Sequence, residues 1–424
     1  MWTALALALL QTSDPAPLAL IGARLLPVSG PPIEHGVLVV ADGLIAHIGA
    51  LDTTPVPAGA VVRDLTGKVI IPGLVDTHSH IVAVEGGDRS APLQPEVRVL
   101  DALDVRDPSL QHARAGGITT VNVMPGSGHL LSGQTLYLKL RRGNTVEDLA
   151  LRNADGSIAG GIKMANGTNS RRDPPFPGTR AKSAALVRER FLAAQEYQRK
   201  RADPDPEKRP ERDLGMEALV EALEGKRVVH HHTHRHDDVL TVLRLREEFG
   251  LRVVLHHVSD AWKVAREIAA AGVPSSLIVI DSPGGKLEAR DMRWESARAL
   301  SEAGAKICFH TDDWITDSRL FLRSAALAVR AGLAPEQALA GLTLAPAEMI
   351  DLDQRVGSLA VGKDADFVVL DGDPFSVYTH VLETWIEGAR VFDRADPGDH
   401  LMAVGGFGAG SPRAALCCEE EDDR

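Results

Sequence analysis

The run Val69-Ile70-Ile71-Pro72-Gly73-Leu74-Val75-Asp76-Thr77-His78-Ser79-His80 limits what this chain can become more than any other stretch. Its apolar residues are those of a buried strand, and it ends in two histidines spaced i, i+2. Side chains alternate between the faces of a strand, so His78 and His80 point the same way. Two imidazoles at the end of one strand can hold a divalent metal from one side. A bare His-x-His where a strand meets solvent has no such meaning, so the rest of the chain decides.

Eight candidate strands follow from the apolar runs at 69–80, 118–124, 131–140, 158–164, 228–234, 251–257, 276–281 and 305–310. Amphipathic helical segments at 183–197, 217–223, 237–249, 260–271 and 288–303 separate most of them. That is the count of an α/β (β/α)8 TIM barrel, with 131–140 its weakest member. Such a barrel keeps its functional residues at the C-terminal ends of its strands. The polar residues of metal chemistry stand at those ends here: His78 and His80 on the first, Lys163 on the fourth, His232 and His234 on the fifth, His257 on the sixth and Asp312 on the eighth.

The chain ends read differently. Residues 17–70 are short strands punctuated by Gly30-Pro31-Pro32 and Asp42-Gly43, and the same texture returns over 355–395. This predicts a small composite β-sandwich domain built from 17–70 and 355–395, with the barrel, 71–354, inserted in it. The Pro-, Arg- and Glu-rich segment 171–216 reads as a long loop with an inserted helix, a lid or rim. Residues 396–424 turn Gly-rich and then acidic, the composition of a flexible tail.

Composition adds exclusions. A formal charge of −12 argues against nucleic acid or an anionic membrane surface as partner, and discriminates little else. A homo-oligomer is allowed. No stretch reaches the ~18 uninterrupted apolar residues of a membrane span. Residues 1–16 open with an apolar run, Met1 to Leu10, that resembles the core of a secretory signal, although no Lys or Arg precedes it and no clean cleavage site follows. A periplasmic or secreted location is therefore favoured slightly over a cytoplasmic one. Three cysteines cannot make a disulfide framework.

The motifs Pro-Gly-Leu-Val-Asp-Thr-His-Ser-His (72–80), His-His-Val (256–258), His-Thr-Asp-Asp (310–313) and Gly-Ser-Leu-Ala-Val-Gly-Lys-Asp-Ala-Asp-Phe-Val-Val-Leu (357–370) resemble those of the amidohydrolase superfamily. The likeness is to its imidazolonepropionase-related branch in particular, and it extends over residues 17–395. It implies a metal-dependent hydrolase of C–N bonds on a (β/α)8 barrel with a composite β-sandwich. It also implies His78, His80, His232 and His257 as metal ligands. Asp312 would be both ligand and general base, taking a proton from metal-activated water and passing it to the leaving nitrogen. The metal is expected to be zinc, as one ion or two.

Lys163 stands where binuclear members carry a carboxylated lysine that bridges two metals; the other reading is a lysine snorkelling to the rim. His234 shares a strand face with His232 and is either a ligand or a substrate contact. His129, Gln134 and Arg172 are further substrate candidates. Arg172, next to Arg171, would grip a carboxylate bidentately or else be half of a solvated charge pair. By strand alternation His256 faces away from the metal, and so does Asp313, whose expected role is to cap the following turn. The substrate is a cyclic amide, or a dipeptide or acylated amino acid. A barrel that has lost catalysis is disfavoured by the presence of Asp312. A deaminase is disfavoured by the lack of a His-x-x-Glu after the fifth strand.

Overall fold

The computed structural model describes residues 16–84, 87–279, 286–313 and 315–405. The apolar start of the chain (1–15), the end of the predicted seventh strand (280–281) and the acidic end with Cys417 and Cys418 lie outside them.

Six strands precede the first histidine pair: β1 (Leu18–Ile21), β2 (Arg24–Leu25), β3 (Gly36–Ala41), β4 (Leu44–Ala50), β5 (Val61–Asp64) and β6 (Val69–Pro72). β7 (Leu74–Ser79) carries His78. Then follow β8 (Ile118–Val123), β9 (Leu131–Gln134), β10 (Leu136–Lys139), β11 (Ile162–Ala165), β12 (Val229–Thr233), β13 (Val253–His257), β14 (Ser275–Leu277) and β15 (Ile307–Phe309). The C-terminal part adds β16 (Phe367–Leu370), β17 (Val381–Ile386) and β18 (Ala389–Asp393). The chain is thus mixed α/β.

Strands near the two chain ends make two sheets, ordered β4-β3-β1-β5 and β18-β17-β16-β6-β2. Leu20, Leu25, Leu38, Ile70, Phe367 and Trp385 share one buried cluster between them. Phe367 and Trp385 stack with ring centroids 5.4 Å apart. Glu383 of β17 ties the sheets together, taking two hydrogen bonds from Arg63 of β5 at 2.6 and 3.0 Å.

The predicted strand 69–80 is two strands. β6 pairs with β16 in the end sheet, whereas β7 pairs in parallel with β8. The chain changes sheet at Gly73, whose N–H donates to Asp366 O at 2.9 Å while Leu74 N–H donates to Gly117 O at 3.0 Å. Only glycine fits this crossing, because a Cβ there would stand 2.3 Å from Thr119 Oγ1.

Parallel pairing joins β7 to β8 and, in a second run, β11 through β12, β13 and β14 to β15. The predicted third strand, 131–140, departs from this pattern. It splits into β9, antiparallel to β11, and β10, antiparallel to β8. A parallel neighbour needs a crossover of a dozen or more residues, and the connection 124–130 is too short for one. Beyond β15 the chain returns to β7: Asp312 N–H donates to His78 O at 2.9 Å.

The helices that separate the parallel strands each bury one face. Arg180–Arg201 buries Val187, Phe191 and Ala194, and Phe191 stacks on Phe249 of helix His236–Phe249 at 5.2 Å. Thr179 caps the former, accepting from Lys182 N–H at 3.2 Å. The latter stops at Gly250, which takes the left-handed φ of 67° that its C-cap needs. The start of the predicted tail is helical. Asp396 caps, and Pro397 opens, a helix over Pro397–Val404, and Met402 and Ala403 pack against the main core.

Candidate metal centre

The strand ends converge. Asp312 Oδ1 lies 3.3 Å from His78 Nε2 and 3.0 Å from His80 Nε2. On the opposite side His232, His234 and His257 form a second group, the rings of His232 and His257 only 4.2 Å apart. Lys163 lies beneath, wholly buried, its Nζ 2.9 Å from His78 Nε2 and 3.0 Å from Met124 Sδ. Every residue for which a metal role was expected is therefore in one cluster.

Hydrogen bonding decides what this cluster suits. His80 Nδ1 lies 2.8 Å from Met124 O, a carbonyl that can only accept, so Nδ1 carries the proton. In the neutral ring Nε2 then offers a lone pair, and it faces a carboxylate oxygen. Two electron-pair donors at 3.0 Å repel each other unless a proton or a metal ion lies between them. Ligands held about 2.0–2.2 Å from one ion at tetrahedral angles stand about 3.3–3.6 Å apart, close to the spacings seen here. The second group gives the same result. Both ring nitrogens of His232, Nε2 of His234 and Nε2 of His257 are buried without a hydrogen-bond partner among the described residues. Unpaired buried polar atoms are rare and costly, and a divalent cation would satisfy these. The residues fit a metal.

Electrostatics agree. Burial pushes the His78, His232 and His257 imidazoles well below the usual range, so they are neutral, as ligands must be. Burial alone would raise the Asp312 carboxyl, but the contact with His80 and the nearby His310 and Lys163 outweigh it and hold Asp312 below its ordinary value. Burial pushes the Lys163 amine down to about 7. It is not a rim lysine.

Alternation along β13 fails to separate the two neighbouring histidines, which corrects the expectation for His256. His257 has a φ of +68°, so the strand leaves extended geometry there and both rings end up inside. The His256 ring is 4.9 Å from that of His78. His310, two residues before Asp312, stacks on His78 at 4.9 Å and went unrecognised, although i, i+2 spacing to Asp312 put it on the same face. Asp312 itself has a φ of +49°. Left-handed geometry at two non-glycine residues in the cluster is strain of the kind that functional sites retain. Asp313 behaves as expected, its Oδ2 accepting from Ser318 N–H at 2.9 Å in the next turn.

The four substrate candidates divide. His234 belongs to the second histidine group, with Nδ1 2.8 Å from Ser259 Oγ. The others turn their polar atoms to nearby loops. His129 Nε2 is 2.6 Å from Asp88 O, and Gln134 Nε2 donates to Pro95 O at 3.0 Å. Exposed Arg172 donates to Gly128 O and lies over the Phe176 ring, 4.3 Å from its centroid. Arg171 donates from Nε to Gly167 O at 3.2 Å rather than pairing with it. A cleft of about 460 Å³ between helices Arg180–Arg201 and His236–Phe249, lined by Arg180, His231 and Asp238, contains none of the ligand atoms.

An α/β scaffold that gathers neutral histidines, an ionised aspartate and a lysine at its strand ends defines a metal-dependent hydrolase class. Comparison with known proteins is in keeping with this. The chain matches the model of the Amidohydrolase family over residues 69–395, and it belongs to that family. It is 28% identical over 392 residues to amidohydrolase tasK of Hapsidospora irregularis, covering 84% of this chain but only 40% of that protein. It is 27% identical over 412 residues to imidazolonepropionase of Deinococcus radiodurans, covering 85% of this chain and 92% of that one. Among solved structures it is similar to an amidohydrolase from Thermotoga maritima at 31% identity and a TM-score of 0.82, over 89% of this chain and all of that one. These likenesses place it with the imidazolonepropionase-related branch and imply a TIM-barrel-like α/β fold. It is a hydrolase acting on C–N bonds other than peptide bonds, in a family that is generally metal-dependent and acts on small molecules. No helix among the described residues is long and apolar enough to cross a membrane.

Proposed function

We propose that the chain hydrolyses a small-molecule amide or cyclic amide at a zinc-type centre, with Asp312 as the proton-transferring group. The observation that carries the two-ion reading is Lys163: fully buried, 2.9 Å from His78 Nε2, its amine pushed down to about 7. A neutral buried amine can take up carbon dioxide and become an anionic oxygen ligand for both halves of the cluster. His78, His80 and Asp312 would hold one ion, and His232 and His257 the other. Bound divalent cations polarise the scissile carbonyl and lower the pKa of water to about 7.

The protein groups do the rest. Asp312, ionised and held by its neighbours, accepts the proton from the attacking water and delivers it to the departing nitrogen. His234, with Nδ1 bonded to Ser259 and Nε2 unpartnered, is placed to hydrogen-bond the substrate carbonyl or to add a ligand. His129, Gln134 and Arg172 would shape the entrance from the loops they brace. In this reading β7 to β15, with β9 and β10 together filling the third position, form the closed (β/α)8 barrel over 71–354. The end sheets form a composite β-sandwich of 17–70 and 355–395.

A second substrate reading, a dipeptide or acylated amino acid, is favoured by the same lysine, because a carboxylated bridge is the mark of binuclear members. Elemental analysis of wild type and Lys163→Ala, both expressed with bicarbonate, tests the centre. Two metals per chain falling to one or none support it. One metal in both proteins would remove Lys163 from the centre and leave a mononuclear site with the cyclic-amide substrate.

A further inference from the structure

A line of hydrogen bonds runs from the metal cluster into the core and ends on a thioether. His257 Nδ1 is 3.3 Å from His310 Nε2, and His310 Nδ1 is 2.8 Å from Ser276 Oγ. Ser276 Oγ is 2.7 Å from Thr77 Oγ1, which is 3.7 Å from Cys308 Sγ. Cys308 Sγ in turn lies 3.3 Å from Met349 Sδ. All six residues are buried, and no two neighbours in the line share a strand or helix.

Each middle group can both donate and accept, so distances alone leave two directions open. Met349 settles the direction, because a thioether has no proton and can only accept. Cys308, whose thiol burial pushes up to about 12, keeps its proton and gives it to Met349. Its sulfur is then free to accept from Thr77, Thr77 from Ser276, and Ser276 from His310 Nδ1. His310 Nε2 is left as an acceptor, and its hydrogen-bond partner among the described residues is His257 Nδ1. The proton of His257 is thereby fixed on Nδ1, and Nε2, buried and without a partner, presents its lone pair to the cluster.

We propose that His310 and Ser276 are positioning residues that lock His257 in the tautomer able to bind metal through Nε2, with the direction of the line set by the Cys308–Met349 end. The proposal rests on the reading of His257 as a ligand. The reverse direction would put a proton on His257 Nε2 and block the site. Partners that hold the far nitrogen of a ligating histidine commonly change metal affinity 10–100-fold when removed.

The test is zinc affinity by chelator competition on wild type, Ser276→Ala, Ser276→Thr and His257→Ala, with the thermal midpoint recorded for each. Ser276→Ala should bind zinc about 10–100-fold more weakly, and Ser276→Thr, which keeps the hydroxyl, should stay within about threefold of wild type. If Ser276→Ala binds as tightly as wild type while His257→Ala loses zinc, the positioning line is overturned and the ligand reading survives. If His257→Ala keeps its full zinc content, the ligand reading beneath it fails. Should Ser276→Ala not fold, the imidazole nitrogen resonances of metal-free wild type still decide. A proton on Nδ1 of His257 is the expected result, and a proton on Nε2 overturns the proposal.

Discussion

Lys163 Nζ lies 2.9 Å from His78 Nε2, which itself stands 3.3 Å from Asp312 Oδ1. Desolvation at this buried position disfavours the charged amine. The ordinary amine range is near 10.5, and burial moves Lys163 to about 7.

This gives a pH dependence. The neutral amine is the form that reacts with carbon dioxide, and its share falls about tenfold per pH unit below 7. We expect metal-free enzyme, given zinc and bicarbonate, to recover activity fast at pH 8 and about tenfold more slowly at pH 6. Equal rates at equal dissolved carbon dioxide would show that the lysine proton does not gate recovery.

Asp312→Asn removes the carboxylate that accepts and returns the proton while keeping the shape of the side chain. Turnover should fall about 10²–10⁴-fold with the thermal midpoint little changed. A variant that turns over at the wild-type rate would take Asp312 out of the chemistry.

His78 touches Lys163, Asp312, His256 and His310, so its ring is central to the cluster. His78→Ala should lose at least one metal per chain in elemental analysis. Treating wild type with a chelator should lower its thermal midpoint, because a metal bound only to the folded state stabilises it. Full metal content in His78→Ala would refute the first-strand site.

Glu383 joins the two end sheets. Burial raises its carboxyl, but Arg63, Trp385 and Arg390 outweigh that and hold it below the ordinary range. For a carboxylate depressed in the folded state, the stabilisation is present above its unfolded value, near 4.3, and is lost as pH falls through the folded value. Glu383→Gln should therefore destabilise by about 2 kcal/mol at pH 7. In urea melts its deficit should shrink below pH 4; a deficit constant down to pH 2 would rule out a charge origin.

Gly73→Ala places a methyl group 2.3 Å from Thr119 Oγ1. Overpacking of this kind costs about 1–3 kcal/mol. Thr119→Gly should recover much of that loss in the double variant, because the Thr119 side chain is what the methyl meets. Additive losses would point to the backbone instead.

Much of the site was legible before the fold was. His78, His80, His232, His257 and Asp312 each end an apolar run, and strand ends are where a barrel collects its chemistry. Two of the departures have local causes. His256 was assigned to the wrong face because alternation assumes extended backbone, and the left-handed turn at His257 breaks it. The 131–140 run reads as one strand because nothing in its composition marks Thr135, where pairing switches from β9 with β11 to β10 with β8. His129, Gln134 and Arg172 show a further limit. Residue type and position bring them near the strand ends, but the loops that take up their hydrogen bonds are set by tertiary packing.

The sheet change at Gly73 has a consequence for the order in which the protein can be made. β6 and β7 are one continuous segment, and β6 is seated by β16 and by the Asp366 carbonyl, almost three hundred residues downstream. His78 and His80 leave the ribosome early, yet of the two strands that flank β6 only β2 precedes it, and β16 follows with the closing Gly-Lys-Asp-Ala-Asp segment. We expect nascent chains stalled before Phe367 to take up no zinc and chains released after β18 to take it up. Metal loading would then report that synthesis is complete.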